Sequence, residues 1–421
     1  MPGLKVLVIG ASIAGPTTAY WLAKAGAKVT IIERFPTLRT GGQAVDIRTV
    51  GVSVMRKMSG METLVRAKST QEEGVSFVRE DGRPYGTIRA TGDPDRQSII
   101  SEYEIFRGDL GKVLFDLTKH DKNINYIFGE QIASMQHNRT KTGPITVEFV
   151  NGSTTSEYDL VVACDGATSR TRAMGFGCDV RDHIVPTNCW AAYFSIKQDL
   201  LRGSRIGQGY SAIGGRFISI GSDPSGPSRI LLMGINPRYE RDVTLPFRKA
   251  STEGDDALKK YIRQHYQGAG WKSEFIVQEM MKSDDFYASE VVQVKIQNLY
   301  NGRFVLVGDA GYAAGPTGGG TSLALAGAYI LAGEIGKHTG NLAAGLRGYD
   351  ERMKPLIRDM QKIPSLVPMI LAPQTLWGIW LRNYAFAFIA WTGVAEFAQK
   401  YLGVAFRNTE AFPLPEYNWV T

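Results

Sequence analysis

The chain has 421 residues, which is too long for one ordinary hydrophobic core and predicts two domains, one interrupting the other. Its composition, 43% hydrophobic and 21% charged, is that of a globular protein and excludes a disordered or fibrous chain. The net charge of +7 comes from dispersed Lys and Arg residues without a basic run of five. This dispersal argues against nucleic acid as a partner and favours the attraction of an anionic cofactor.

The cysteines and histidines indicate neither disulfides nor a metal site. Cys164, Cys178 and Cys189 are odd in number and lack metal-ligand spacing, which is typical of reduced thiols in a cytoplasmic protein. The five histidines are scattered, so we predict no metal ligands. The opening stretch MPGLKVLVIG has an apolar run too short for a signal peptide.

The C-terminal region is rich in aromatic residues between Thr375 and Phe406. Its apolar run between Arg382 and Glu396 is shorter than the roughly 20 residues of a membrane span. We therefore expect a pair of core helices that clamps the domains, with contact at a membrane surface as the alternative.

In chain order, the first elements form a β-α-β unit. The run KVLVIG (5–10) predicts a buried parallel strand, and Pro16 suits the first turn of the helix that ends near Gly26. KVTIIER (28–34) is the next predicted strand. A helix with one apolar face is predicted over 107–119. YDLVVACDG (158–166) and GRFVLVGDA (302–310) resemble the first strand and are expected in the same sheet.

Between these two later strands the pattern changes to short strands with little helix. The predicted strands are 189–197, 216–222, 229–235, 274–281 and 291–296. This succession indicates an antiparallel sheet inserted into the nucleotide-binding fold. The predicted domains are residues 1–180 and 299–360 for the nucleotide-binding fold, 181–298 for the inserted sheet, and 361–421 for a C-terminal helical segment.

The first glycine loop, GASIAG, predicts a dinucleotide site. Gly10 permits the sharp turn, and Gly15 permits close packing of helix on strand. The intervening residues, Ser12, Ile13 and Ala14, expose backbone N–H groups at a helix start that attracts a pyrophosphate. Glu33, followed by Arg34, ends the second strand, where a carboxylate accepts ribose hydroxyls. Because Glu33 repels a 2′-phosphate, the loop suits FAD or NAD.

The sequence resembles the single-component (class A) flavoprotein aromatic hydroxylases, most closely their tetracycline-hydroxylating branch. Three motifs carry the resemblance: GASIAG, CDGATSRTR (164–172) and GDAGYAAGPTGGGTSLALAGAYILAGE (308–334). The fold class it implies is α/β (α+β), a para-hydroxybenzoate-hydroxylase-like arrangement with a Rossmann-like FAD domain, an inserted antiparallel sheet and C-terminal helices. Tyr312 and Thr321 depart from the family pattern, where histidine and glycine are usual.

The resemblance also implies which further residues bind FAD. The middle motif is associated with both FAD and the pyridine nucleotide, and Arg170 and Arg172 are candidates for phosphate charge. Beyond the first loop, the implied FAD-binding residues are Gly42, Gln43, Asp46, Arg107, Asp165, Gly166, Asp309, Pro316, Gly319, Gly320, Thr321 and Ser322.

The implied activity is an FAD-dependent monooxygenase that uses NADPH or NADH and O2 to hydroxylate an aromatic or polyketide-like molecule through a flavin C4a-hydroperoxide. The cofactor carries this chemistry, so no catalytic side chain is expected. Arg216, Tyr193 and Tyr210 on the inserted sheet are the candidate substrate contacts. The alternatives are epoxidation or Baeyer–Villiger oxidation, or a non-redox flavin-binding cyclase or scaffold. The sequence does not determine the oligomeric state.

Overall fold

The computed structural model describes residues 3–39, 41–90, 101–137, 142–237, 243–363, 372–392 and 413–420. The first part of the chain contains β1 (Lys5–Ile9), α1 (Ala14–Lys24), β2 (Lys28–Glu33), β3 (Ala44–Asp46), α2 (Val50–Lys57), α3 (Met61–Ala67), β4 (Gly74–Val78), β5 (Pro84–Arg89), β6 (Glu104–Phe106), α4 (Arg107–Thr118), β7 (Ile124–Phe128), β8 (Ile132–His137), β9 (Ile145–Phe149), β10 (Ser156–Tyr158), β11 (Leu160–Ala163) and α5 (Arg170–Phe176).

The second part begins with β12 (Ile184–Ile196), β13 (Ile206–Ala212), β14 (Arg216–Ser222), β15 (Ser228–Ile235), α6 (Leu245–Thr252), α7 (Asp255–His265), α8 (Ser273–Lys282) and β16 (Tyr287–Val294). It continues with β17 (Tyr300–Asn301), β18 (Phe304–Leu306), α9 (Asp309–Tyr312), α10 (Gly320–Lys337) and α11 (Leu342–Met360). The last described helix is α12 (Leu376–Thr392).

A six-stranded sheet unites strands that are far apart in the chain. Its order is β17-β18-β11-β1-β2-β7, and all pairs except β17–β18 are parallel. Val6 pairs with Leu160 on one side and Val29 on the other. The three apolar strands predicted to share one sheet, β1, β11 and β18, are therefore neighbours. Helices cover one face of this sheet, and the small antiparallel sheet β10-β9-β8 packs on the other.

A second sheet of seven strands has the order β16-β12-β15-β14-β13-β4-β5, and only the β13–β4 pair is parallel. The expected α/β fold with an inserted, mainly antiparallel sheet is confirmed. Two of its strands, β4 and β5, come from residues 74–89, ahead of the interval predicted for the insertion. The domain boundaries themselves remain a prediction.

One predicted strand, 274–281, is wrong because these residues form helix α8. Ile276, Val277 and Met280 are buried on one side of it, a spacing of one and three residues that follows the helical period. Packing of this face against the sheet overrides the strand preference of the β-branched residues.

The two faces of the seven-stranded sheet differ. On the first, which we call the helix face, Trp190, Phe194, Ile218, Ile220 and Leu232 form a core with α6, α7 and α8. Side chains of alternate residues point to the other face, which we call the open face. Phe217 and Met233 lie there and are only partly buried.

Helix α12 packs against β5 and β13 but presents a broad aromatic surface. Trp377, Trp380 and Trp391 are among its exposed side chains, and only Arg382 and Asn383 are buried. The expectation of a core helix is therefore wrong for 376–392, while 393–406 lie outside the described residues. Among the described residues, no helix has the length and apolarity needed to cross a bilayer.

Candidate functional site

The loop between β1 and α1 has a shape that only small residues allow. Gly10 has φ of 104°, and a Cβ there would lie 2.7 Å from the Cys164 carbonyl oxygen. A Cβ on Gly15 would lie 1.8 Å from the Gly10 carbonyl oxygen. Within the described chain, no side chain caps the start of α1, and its first turn contains no acid. The helix start is therefore free to bind an anion.

A groove opens beside this loop. Its lining residues are Ala11, Ser12, Glu33, Leu38, Arg39, Gly41, Arg107 and Gly111. The Glu33 carboxylate accepts a hydrogen bond from the Ala11 backbone N–H at 2.9 Å, so it lies at the edge of the loop. Arg107 donates from Nε to Ser12 Oγ at 3.3 Å. Arg34 instead lies over the ring of Phe35, 4.7 Å from its centroid.

The segment leading into β3 connects this groove to the late glycine loop. The Gln43 carbonyl accepts from the Arg107 backbone N–H at 2.9 Å. Gln43 Oε1 is buried and has no hydrogen-bond partner among the described residues. The Arg48 backbone N–H donates to Ser322 Oγ at 2.9 Å, which places β3 beside the start of α10. Asp46 forms an ion pair with Arg48 at 3.2 Å.

The late loop, 308–322, contributes a carboxylate and a second helix start. Protein surrounds Asp309 on most sides, but part of this residue is exposed to open space. Burial raises the pKa of its carboxyl group, whereas the positive charge of Arg107 lowers it. Gly318 has φ of 75°. Within the described chain, no side chain caps the start of α10, where Gly319, Gly320 and Thr321 lie. Pro316 precedes this turn and is partly buried.

Tyr312, one of the two expected departures from the family pattern, points away from this loop. Its hydroxyl lies 3.2 Å from that of Tyr349, which in turn donates to the Leu306 carbonyl at 2.8 Å. A Cβ on Gly327 would lie 1.8 Å from the Tyr312 oxygen, so a small residue in α10 provides the space. The substitution is therefore accommodated inside the core.

The middle motif organises its own helix. Asp165 accepts hydrogen bonds from the Ser169 hydroxyl and from the Thr171 hydroxyl and backbone N–H. Burial raises the Asp165 pKa, whereas these bonds lower it. Arg172 is fully buried and donates to the carbonyls of Ala167, Val180 and Ala310.

The suggestion that Arg172 meets phosphate charge is therefore wrong, because its guanidinium is engaged by backbone oxygens in the interior. Arg170 is exposed at the start of α5. Gly166 has φ of 89°, and within the described chain a Cβ there would meet nothing within 4 Å. Gly166 thus lies next to free space at the end of β11.

A cluster of acidic side chains lies between the β3–β6 pair and the open face of the sheet. Asp46 and Glu104 are cross-strand partners. Burial, then the charge of Asp46, raises the pKa of Glu104 to about 7. Burial, then the charges of Glu104 and Asp46, raises the pKa of Glu72 to about 8. The Glu72 carboxylate lies 3.0–3.1 Å from where a Cβ on Gly207 or Gly221 would be. Sequence reasoning missed this cluster.

The structure separates the three candidate substrate residues. Arg216 lies on the helix face and donates to the carbonyls of Ile213, His265 and Gln267. Tyr210 also lies on that face, with its hydroxyl donating to Ala269 O at 3.1 Å. The prediction that Arg216 and Tyr210 contact the substrate is therefore wrong, because the sheet lies between these two side chains and the glycine loops.

Tyr193 lies on the open face and stacks with Tyr287, with ring centroids 6.4 Å apart. Burial, then Tyr287, raises its pKa to about 12, and Arg107 lowers it. Phe217 and Met233 are cross-strand partners that also lie on the open face. Alternation along the strand, which directs Phe217 away from Arg216, predicts this placement of Phe217 from the sequence.

These features fit FAD as the bound group. Two uncapped helix starts favour the anionic pyrophosphate and the electron-rich pyrimidine edge of the reduced ring. The buried, unpartnered Gln43 Oε1 requires a donor that the described chain does not provide. Glu33 and Asp309 provide acceptors for ribose and ribityl hydroxyls.

The fold and these loops define a dinucleotide-binding flavoprotein. The chain belongs to the FAD binding domain family, which matches residues 3–362. It is 32% identical over 441 residues to the FAD-dependent monooxygenase asL4 of Sarocladium schorii, with 99% of both chains covered. It is also 32% identical to Monooxygenase CTB7 of Cercospora beticola, over 99% of this chain and 98% of the relative.

Solved structures agree. The chain resembles the tetracycline destructase Tet(55) with a TM-score of 0.77 and 31% identity, covering 99% of this chain and 100% of that one. For the tetracycline destructase Tet(51) the TM-score is 0.75 at 28% identity, with 98% and 100% covered. The resemblance inferred from the motifs, the fold class and the class of enzyme, an FAD-dependent monooxygenase, are confirmed.

Proposed function

We propose that the enzyme hydroxylates a flat aromatic, polyketide-like molecule, with NADPH or NADH as reductant and O2 as oxygen source. The substrate lies between the open face of the seven-stranded sheet and the FAD-binding segments 42–46 and 316–322. The observation that carries the proposal is the difference between the two faces: α6–α8 cover one, and the other carries apolar side chains that are only partly buried.

Contacts at one edge of the sheet support this placement. Gln293 on β16 donates from Nε2 to Ala314 O at 3.1 Å, in the loop before Pro316. At Gly41, a Cβ would lie 3.9 Å from the Asp285 carbonyl oxygen, just before β16. The open face is thus held against both segments that are proposed to hold the flavin ring.

The middle of the open face suits a planar ring. Phe217 and Met233 are cross-strand partners and half-buried. Gly209 on the next strand leaves room, since a Cβ there would lie 3.1 Å from the Phe217 ring. Apolar, aromatic and glycine surfaces are typical of sites that bind aromatic ligands.

Arg382 from α12 supplies the polar contact first assigned to Arg216. Its guanidinium lies 3.9 Å from the centroid of the Phe77 ring and donates to Ser211 Oγ at 2.7 Å. Burial lowers its pKa to about 10, so it remains charged at neutral pH. A cation at the edge of the open face attracts a phenolate or enolate oxygen of the substrate.

FAD, when bound, supplies the activation of oxygen, and the chain positions the ring and keeps water out. Glu72 reaches the same face beside Gly207 and Gly221. With a pKa of about 8 it is mostly protonated at pH 7. In this protonated form it places no negative charge beside an electron-rich ring.

The test is NADPH oxidation in air with a panel of fused-ring aromatics, followed by mass spectrometry after reaction under ¹⁸O2. We expect faster oxidation with some of these compounds and a product that gains one ¹⁸O atom. Arg382→Gln should raise the KM of such a substrate about tenfold, whereas the matched Arg216→Gln leaves KM unchanged. A flavin-containing protein that oxidises no NADPH with any panel member would contradict the proposal and favour a scaffold.

A further inference from the structure

The last described segment, residues 413–420, lies across the helices on the far side of the FAD-binding loops. We call it the C-terminal strap. Trp419 packs on Trp21 of α1, with ring centroids 4.7 Å apart, and on Tyr329 of α10, at 5.6 Å. The Val420 backbone N–H donates to the Lys24 carbonyl at the end of α1, at 3.0 Å. The strap therefore contacts both helices at once.

Polar contacts fix the strap to α10. Tyr417 donates from its hydroxyl to Glu334 Oε1 at 2.8 Å, and Arg352 of α11 donates to the same oxygen at 2.5 Å. Glu334 is 1% exposed, so this carboxylate depends on both donors. The Tyr329 hydroxyl donates to the Pro415 carbonyl at 2.8 Å. A Cβ on Gly333 would lie 2.1 Å from the Tyr417 ring, so α10 is shaped to receive it.

The two helices under the strap are those whose N-termini face FAD. Helix α1 begins within the GASIAG loop, and α10 begins at Gly320, at the end of the late glycine loop. Trp21 and Tyr329 meet edge to face, 4.9 Å apart, where the helices cross. The contacts lie roughly 10–21 Å along the helix axes from those N-termini, so no strap residue needs to touch the cofactor.

We propose that the C-terminal strap is a positioning element for FAD. By fixing α1 against α10, it sets the separation of the two helix N-termini that bind the pyrophosphate and the flavin ring. Because one FAD contacts both N-termini, a loosened helix pair must be ordered again when FAD binds, and this ordering weakens the affinity.

A purely structural role makes a different prediction. If the strap were equally ordered with and without FAD, removing its contacts would lower stability in both states by the same amount. The dissociation constant of FAD for the folded protein would then be unchanged. FAD affinity, measured where every variant is folded, therefore separates the two roles.

The first experiment is Trp419→Ala, with the flavin removed and FAD titrated back by fluorescence quenching at low temperature. We expect the dissociation constant to rise about tenfold and the bound flavin spectrum to shift. Trp391→Ala on α12 is the matched control, because that side chain is 83% exposed. An unchanged dissociation constant with a lowered melting temperature would overturn the proposal. The unmodified protein in the same titration shows separately whether FAD binds at all.

A second variant approaches the contact from the helix side. Gly333→Ala leaves the strap intact but places a methyl group where the Tyr417 ring lies. We expect a rise in the FAD dissociation constant similar to that of Trp419→Ala, and no further rise when the two are combined. Full additivity would mean that the two changes act independently and not through the strap.

The unmodified protein provides a third test, which does not depend on folding of a variant. Coupling is reciprocal, so FAD must stabilise the strap by the same free energy that the strap contributes to FAD binding. We expect amide hydrogen exchange in 413–420 to slow about tenfold on adding FAD. Equal exchange rates with and without FAD would contradict the proposal.

Discussion

The FAD-binding region and the seven-stranded sheet illustrate two kinds of information in one chain. In the first, chemistry follows from local backbone constraints: Gly10 and Gly15 are required by contacts within the same turn or with the adjacent strand. In the second, function depends on which face of a sheet a residue occupies. Phe217 and Arg216 are adjacent in sequence, yet Phe217 lies on the open face and Arg216 on the helix face. Roles set by local backbone geometry can therefore be predicted from the sequence, whereas roles set by tertiary packing cannot.

The largest effect is expected at the first glycine loop. Gly15→Val inserts a branched side chain where a Cβ alone would lie 1.8 Å from a backbone oxygen. The clashing atom belongs to the backbone and cannot move aside as a flexible side chain can, so the loop itself must be distorted. The affinity for FAD should therefore fall by about 100-fold or more. The control is Gly336→Ala in α10, where a Cβ meets its nearest atom at 3.8 Å. Flavin content after gel filtration measures the difference, and a yellow Gly15→Val protein would count against the assignment of this loop.

The middle motif provides the next test of the comparison. Arg172→Met leaves three buried carbonyls without their donor, and the free energy of unfolding should fall by about 3 kcal/mol. Arg170→Met, at an exposed site two residues away, should change it by less than about 0.5 kcal/mol. Urea unfolding of both variants measures this. Equal stability of the two would restore a surface role for Arg172.

The two faces of the sheet can be separated with one pair of neighbours. Ile218→Ala opens the core under α6–α8 and should cost about 2–4 kcal/mol of stability, with KM little changed. Phe217→Ala, half-buried on the open face, should cost less stability but raise the substrate KM about tenfold. Thermal unfolding and steady-state kinetics together test the pair. Reversal of the two patterns would place the substrate on the other face.

The last test of the comparison concerns pH. The pKa of Glu72 is raised in the folded state from 4.5 to about 8. The folded protein therefore holds a proton that the unfolded chain loses, so stability falls as pH rises through this interval. We expect Glu72→Gln to reduce the fall in melting temperature between about pH 5 and about pH 8. Glu73→Gln, at the exposed neighbour, should follow the unmodified protein. Parallel curves for all three proteins would refute the assignment.

Much of the fold and part of the site follow from sequence. The strands at 5–9, 160–163 and 304–306 are apolar runs buried on both faces, a pattern that needs no tertiary knowledge. By contrast, 274–281 was predicted as a strand because its β-branched residues and its helical spacing compete, and only packing decides between them.

Contacts in the site between residues far apart in the chain could not be predicted from sequence patterns. The carboxylate of Glu72 meets those of Asp46 and Glu104 only because β4 joins a sheet formed mainly by residues more than a hundred positions later. The arginines of the middle motif look alike in sequence, but one is exposed and the other is bound by three carbonyls. The contact of 413–420 with α1 and α10 joins opposite ends of the chain.

The central claim is that loops far apart in sequence hold one FAD without a covalent bond. Its most direct test is to purify the protein, record its visible spectrum, and release the flavin by heat denaturation. We predict a yellow protein that frees one FAD per chain, leaving a colourless polypeptide. A colourless purified protein that takes up no added FAD, or a flavin that stays attached after denaturation, would contradict the account.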